Sequence, residues 1–310
     1  MSSTKVAVID VGSNTIKLLV AEATTDKALK VVHQASMPTR IGSGIGRDQP
    51  ALAEESMKAG VETIQELLEA AEAHLATSVR LVATGAVRDA HNGNEFSLQV
   101  QDATGLPLHV LTGQEEANGI ALGLLSDPAL SSRNDFLACD LGGGSLELVS
   151  IEGRFPKKTI SLPLGAVRLT EKFVSNPQEP IPDCETKEIA KEVKHTLTQS
   201  EFSIPKNASI LVATGGSFYT ARSILAKREE VSFEKRSILT RDDFLALLEE
   251  TASLNLEERY RHFPGLPPNR ADVMVAAFVC IIELLEYAQV STALNSLRNL
   301  RYGIAAKLLA

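Results

Sequence analysis

The sequence predicts an α/β protein built as two copies of one structural half. Three observations carry that expectation. The pentapeptide LVATG occurs at Leu81–Gly85 and again at Leu211–Gly215, 130 positions later. Val6–Leu19 (VAVIDVGSNTIKLL) aligns with Phe136–Val149 (FLACDLGGGSLELV) at the same offset, setting Asp10 over Asp140 and Gly12 over Gly142. Apolar runs of strand length also alternate with segments of helical period. Each half thus presents a buried strand followed by an acidic, glycine-rich turn. Two such turns facing each other across a central cleft could grip phosphate from both sides through backbone N–H groups.

The elements follow in order. Lys5–Val11 is a continuous apolar run closed by Gly12, the pattern of a fully buried strand, and Thr15–Ala23 continues as its hairpin partner. In Ala51–Ala76, Leu52, Met57, Val61, Ile64, Leu68, Ala71 and Leu75 recur at helical spacing, with Pro50 ahead of the first turn. Val79–Ala83 is a short strand that delivers the first ATG to a loop. Leu108–Leu111 is another, ended by Gly113, and Glu115–Leu125 reads as a helix. Ser126, Asp127 and Pro128 break it, which places a boundary between a first domain of 1–124 and a second of 125–300. The last helix, within 301–310, is expected to cross back and complete the first domain.

The second half repeats the plan. A hairpin at 136–151 leads to a helix at Cys184–Ser200, a strand at Ser209–Ala213 and an ATGGS loop. Helices then follow at Ser217–Ala226, Arg241–Leu254 and Arg270–Tyr287, a strand at Gln289–Leu294 and a final helix at Ile304–Leu309.

Composition narrows the function classes. With 310 residues, 44% hydrophobic and 23% charged, the chain can bury two cores and does not have a disordered composition. Val6–Ile9 ends at Asp10 and makes no secretory leader. Val273–Ile282 is too short for a bilayer and is followed by Glu283 and Glu286. A cytoplasmic address without a membrane partner is expected. Cys139, Cys184 and Cys280 form no CxxC pair, and Cys139 reads as a small core residue. The six histidines show no zinc-ligand spacing. A formal charge of −8 argues against nucleic acid as a partner. Any polyanion must therefore be met by local positive charge. The densest such segment holds Arg222, Lys227, Arg228, Lys235, Arg236 and Arg241, but Glu229, Glu230 and Glu234 interrupt it as on a mixed-charge surface.

The candidate chemistry lies in the turns. A strand–DxG–strand hairpin carries a carboxylate beside exposed amides, and glycine keeps a β-carbon from holding phosphate away. Gly12, Gly142, Gly143 and Gly144 fill that role, while Ser13, Asn14, Thr15 and Ser145 add hydroxyl and amide donors. Asp10 and Asp140 would repel phosphate directly, so a divalent cation between acid and phosphate is the natural resolution. Magnesium, or manganese, suits one or two carboxylates with waters and substrate oxygens. One such turn alone reads better as a tight hairpin with a capping aspartate; the duplication favours phosphate.

DVGSNT, DLGGGS and ATGGS together resemble the phosphate and adenosine loops of the actin, sugar-kinase and heat-shock-chaperone superfold. The implied architecture is a duplicated actin-like one, with Gly215, Gly216 and Ser217 joining the phosphate-binding groups. ATGAVRDAHN (83–92), LTGQEEANGIALG (111–123), LPLGAVRLTEKF (162–173) and SLRNLRYGI (296–304) narrow the resemblance. With the turns, they are similar to the exopolyphosphatase and guanosine-pentaphosphate phosphatase (Ppx/GppA) family along nearly the whole chain.

The resemblance implies that Glu116 positions the attacking water and that Arg88 contacts substrate phosphate. It further implies that Asp140 and Glu147, with Asp10 from the other half, surround the metal. Read without the motif, Arg88 is a salt-bridge partner of Asp89 or a neighbour, and Glu115 is a solvated first-turn glutamate favoured by the helix dipole. Asn118, Leu146 and Tyr302 depart from the family's usual arginine, threonine and glutamate; none removes an expected catalytic group, but the Asn118 change costs a phosphate contact and leaves chain-length or nucleotide preference open. The activity expected is exopolyphosphatase. Removal of the 5′ γ-phosphate of pppGpp is the close alternative, and an ATP-dependent kinase or a non-catalytic alarmone or polyphosphate sensor is more remote. A homodimer is expected.

Overall fold

A computed structural model describes residues 4–24 and 28–310. The chain opens with β1 (Lys5–Val11) and β2 (Thr15–Ala23), at the expected bounds, and β3 (Leu29–Pro38) pairs antiparallel with β2. The pattern reading did not find β3, whose side chains are partly exposed on both faces and so show no clean alternation. α1 (Glu54–Ala73) is shorter than Ala51–Ala76. Ala53 is extended, with ψ 144, so the helix starts at Glu54 and Pro50 lies ahead of its first turn, further back than expected. At the other end Leu75 adopts a left-handed φ of 62, which stops the helix.

β4 (Ser78–Ala83), α2 (Gly85–Asp89), α3 (Gly93–Thr104), β5 (Leu108–Val110) and α4 (Gly113–Leu125) follow. Gly113 opens α4 rather than merely ending β5, because Thr112 caps it in a reciprocal capping box with Glu115.

The second hairpin is β6 (Phe136–Leu141) and β7 (Leu146–Glu152), extended by β8 (Phe155–Leu162). Next come α5 (Ala166–Phe173), α6 (Asp183–Gln199), β9 (Leu211–Thr214), α7 (Gly216–Arg228), β10 (Ile238–Thr240), α8 (Arg241–Ala252) and α9 (Leu256–His262). α10 (Met274–Tyr287), β11 (Thr292–Asn295) and α11 (Leu300–Leu309) complete the order. α10 starts after Arg270 because Pro268–Arg270 form a separate 3-10 turn. α11 starts before Ile304 because the Asn299 side chain accepts from the Arg301 amide at 3.2 Å and caps it.

The duplication is visible in the sheets. One runs β3-β2-β1-β4-β5 and the other β8-β7-β6-β9-β11, with β10 added at its edge. In both, the first strand pairs antiparallel with the second and parallel with the strand leading to ATG. This is a duplicated α/β fold with two mixed sheets. The chain divides into two compact units, Met1–Ser132 with Arg298–Ala310, and Arg133–Leu297. Unit 1 buries Ile9, Leu18, Leu19, Ile64 and Phe96; unit 2 buries Phe136, Phe218, Phe244 and Phe278. The apolar stretch at 273–282 is a core helix of unit 2, and no helix among the described residues is long and apolar enough to cross a membrane.

Within unit 1, α4 and α11 touch backbone to backbone. A β-carbon on Gly303 would overlap the carbonyl oxygen of Gly119, and one on Gly123 would overlap that of Asn299. Gly303→Ala should therefore lose stability by about 1–3 kcal/mol from overpacking, outweighing roughly 1 kcal/mol of gained helix propensity. Urea unfolding measures this, and a stabilised variant would show that the two helices do not meet in solution.

Candidate functional site

In unit 1 the register of β1 and β2 sets Asp10 directly opposite Lys17, so both side chains share one face of the sheet. Asp10 Oδ1 is buried with no hydrogen-bond partner among the described residues. Burial pushes the Asp10 carboxyl above its ordinary value, against the opposing pull of Lys17 and Arg301. Arg301, itself buried, donates to the Leu18 carbonyl at 2.8 Å.

The turn after Asp10 is held by its carbonyls. Ser13 O accepts from Gly42 N at 2.7 Å, and Asn14 O accepts from Thr39 N and Arg40 N at 3.2 and 3.1 Å. Ser13, Asn14 and Thr15 are buried. A β-carbon on Gly42 would lie 2.6 Å from Ser13 Cβ, so only glycine lets this loop come so close.

Beside this turn, α2 and α4 bring Arg88 and Glu116 together. Arg88 Nη1 donates to Glu116 Oε2 at 2.6 Å and to the Leu111 carbonyl at 3.3 Å, and its Nε donates to Asp89 at 3.3 Å. The Asp89 pairing read from sequence is thus present, alongside a shorter bond to the expected catalytic glutamate. Glu116 is only 6% exposed. Its neighbour Glu115 is spent on the helix cap, where the Thr112 amide and hydroxyl hold its carboxyl below the usual range. Two adjacent glutamates therefore do different work.

In unit 2 the turn 142–145 repeats the device. Gly142 O accepts from Ala166 N at 3.0 Å, Gly143 O from Val167 N and Arg168 N at 2.9 and 3.1 Å, and Gly144 O from Arg168 Nε at 2.9 Å. The Gly142 amide closes the turn on Ser145 O, whereas the amides of Gly143, Gly144 and Ser145 have no protein acceptor among the described residues. Successive unbonded amides of this kind form an anion-binding concavity. Gly165 must be glycine, since a β-carbon there would overlap the backbone of Gly143 and Gly144.

Asp140 stands opposite Glu147 across the hairpin and beside Thr214 of β9. Glu147 is almost fully buried and accepts from Ser161 Oγ at 2.7 Å. Gly215, at φ 100, packs against Asp140, where a β-carbon would overlap Oδ1. Arg270 lies over Gly216, and its buried guanidinium interacts electrostatically with Asp140 and Asp272. Ser217 is buried in the first turn of α7.

The two hairpins differ at the position that faces the aspartate: Lys17 faces Asp10, and Glu147 faces Asp140. Two carboxylates on one face suit a hard divalent cation that takes its remaining ligands from water and phosphate. The residues present fit such an ion, although no group of three or more His, Cys, Asp or Glu forms a ready cage among the described residues. The orphaned Asp10 Oδ1 also fits a group that approaches an ion or its waters.

Several contributors escaped the sequence reading. Ser161, Arg168, Arg270 and the 39–42 loop carry no periodicity or turn signal of their own, because tertiary packing brings them to the turns. The basic segment after β9 proves to be structural. Arg222 is buried against Phe233 and Asn295, Arg228 forks onto Glu250 at 2.9 and 2.7 Å, Arg236 pairs with Glu229 and Asp243, and Arg241 pairs with Glu286. Of the departures, Leu146 fills the core of unit 2, Tyr302 bonds Gln34, and Asn118 is half-buried on α4. Cys139 is buried as expected, and burial raises its thiol well above the usual range.

The description "Ppx/GppA phosphatase family" matches residues 19–310. The chain belongs to this family. Among its relatives, a Mycobacterium tuberculosis protein named exopolyphosphatase 2 is 30% identical over 300 residues, covering 92% of this chain and 91% of its own length. An uncharacterised Streptomyces coelicolor protein is 34% identical over 219 residues, which are 69% of this chain and 63% of that protein, less than two thirds of its length. The solved Aquifex aeolicus PPX-GPPA enzyme superposes with a TM-score of 0.78 at 25% identity, covering 99% of this chain and all of its own.

The raised Asp10 carboxyl yields a stability test. A native state that binds this proton more tightly than the unfolded chain loses stability when the group ionises, above its ordinary value of 3.8. Asp10→Asn should therefore be more stable than wild type at pH 7, with the advantage shrinking as the pH falls toward 3.8. Denaturation midpoints across that range measure it; an Asn variant less stable at pH 7 would mean that Lys17 and Arg301 outweigh burial.

Proposed function

We propose that this protein is an exopolyphosphatase that hydrolyses the terminal phosphoanhydride of linear polyphosphate. The observation that carries the reading is the turn 142–145, with its carbonyls fixed from behind and the amides of Gly143, Gly144 and Ser145 unbonded, beside the Asp140–Glu147 pair. Unbonded amides take the oxygens of a phosphate, and the paired carboxylates take a cation that offsets its charge. Gly215, Gly216 and Ser217 of the same unit would contribute further donors to that phosphate.

Phosphoryl transfer needs in-line positioning and charge neutralisation more than covalent chemistry. Glu116 accepts a proton from water as its oxygen bonds to the terminal phosphorus. The bridging P–O bond breaks, and the shortened chain departs with the electron pair. Arg88 fixes the Glu116 carboxylate and offers its guanidinium to phosphate oxygens. Magnesium or manganese, held by Asp140 and Glu147, would supply Lewis-acid stabilisation of the phosphate charge.

The same groups serve equally to remove the 5′ γ-phosphate of pppGpp, where only the leaving group differs. Side-by-side phosphate release from long polyphosphate, short polyphosphate and pppGpp, each with magnesium and with manganese, decides the substrate. Transfer of the γ-phosphate of ATP to an acceptor would replace hydrolysis with kinase chemistry. Tight binding without turnover would make the protein a sensor.

Two variants test the roles. Glu116→Gln should keep its fold and lose about 10²–10⁴-fold in kcat, the usual contribution of a general base; wild-type turnover would remove Glu116 from the mechanism. Asp140→Asn should shift the magnesium titration to higher concentration, and an unchanged titration would count against a metal role for Asp140.

A further inference from the structure

Matched atom by atom, the two turns are held differently. In unit 1 the carbonyl of Asn14 is fixed by two main-chain amides, those of Thr39 and Arg40. Its counterpart in unit 2, the carbonyl of Gly144, accepts from a side chain, Arg168 Nε, at 2.9 Å. The preceding carbonyl, Gly143 O, is held by main-chain amides of α5, one of them Arg168's own. Arg168 therefore binds two successive carbonyls of the turn, once through its backbone and once through its guanidinium.

The consequence lies on the opposite edge of each peptide plane. A peptide unit is planar, so pinning the Gly144 carbonyl fixes the direction of the Ser145 amide, and pinning Gly143 O fixes the Gly144 amide. Those amides have no protein acceptor among the described residues. A glycine run with free carbonyls could flip its peptides at little cost and turn the amides away. The guanidinium also places a positive charge behind a turn whose neighbours Asp140 and Glu147 are acidic, easing the approach of an anion.

We propose that Arg168 is a positioning residue for anion capture: it locks the Gly144–Ser145 peptide so that the turn 142–145 presents its amides to a phosphate group. This rests on the phosphate-binding reading given above and deepens it by naming the group that sets the turn's orientation. Arg168 itself need not touch the substrate.

The test uses Arg168→Gln and Arg168→Lys in the full chain. Binding of inorganic phosphate and of pyrophosphate is measured calorimetrically, beside the thermal midpoint and the KM and kcat for polyphosphate and pppGpp. Arg168→Gln should bind both anions about tenfold more weakly and raise KM correspondingly, with a thermal midpoint near that of wild type. Arg168→Lys, which keeps a charged donor of different reach, should fall between the two. A residue that merely supported α5 would lower the thermal midpoint and leave anion affinity alone, and that result would overturn the proposal. So would affinity within twofold of wild type in Arg168→Gln, or a wild-type protein that binds neither anion.

Should Arg168→Gln fail to fold, the Lys variant carries the same comparison. The two readings fail separately. A wild type that binds phosphate through an Arg168-dependent turn but hydrolyses neither polymer nor nucleotide sinks the enzyme reading alone. Hydrolysis with no dependence on Arg168 sinks this inference alone.

Discussion

The candidate site depends on a rule about backbone polarity. Every peptide offers one donor and one acceptor, and buried groups are normally satisfied. In both glycine turns the fold satisfies the acceptors, and in the second it leaves the amides of Gly143, Gly144 and Ser145 over. Gly42, Thr39 and Arg40 serve the first turn; Ala166, Val167 and Arg168 serve the second. Remove those partners and DVGSNT or DLGGGS is an ordinary tight hairpin. The glycines make the geometry reachable, but the carbonyl partners make it specific.

The duplicated fold also shows how identical frames acquire different chemistry. Asp10 and Asp140 occupy the same position on the same strand, yet one meets Lys17 and the other Glu147. The first acid faces a protein cation, whereas the second shares its place with another acid. A single substitution in one half, lysine against glutamate, is enough to separate the two electrostatic tasks. Arg270 lies on the acidic side, close to Asp140, and moderates that charge.

How much of this was readable from sequence depends on distance along the chain. β1, β2, β6 and the turns were legible because local apolar runs and glycines specify them. β3 and α3 were missed for lack of contrast: β3 alternates poorly, and α3 buries only Gly93, Phe96 and Val100. Helix ends slipped where capping, not periodicity, decided them, as at Thr112 and Asn299. Glu116 and Arg88 were picked from motifs; their 2.6 Å bond joins residues of α2 and α4, a tertiary fact. Arg168, Arg270 and Ser161 acquire meaning only from what packs on them. The basic segment was rightly discounted, since its arginines are consumed by nearby glutamates and carbonyls.

The return of α11 to unit 1 has a bearing on biogenesis. Residues 133–297 are contiguous, so unit 2 can finish its core while the polypeptide is still being synthesised. Unit 1 must wait: the groove along Gly119 and Gly123 stays open to water until Leu300–Leu309 emerges. During that interval the segment synthesised first is the last to become native. A chaperone that shields nascent apolar surface would find its client there, in the older half.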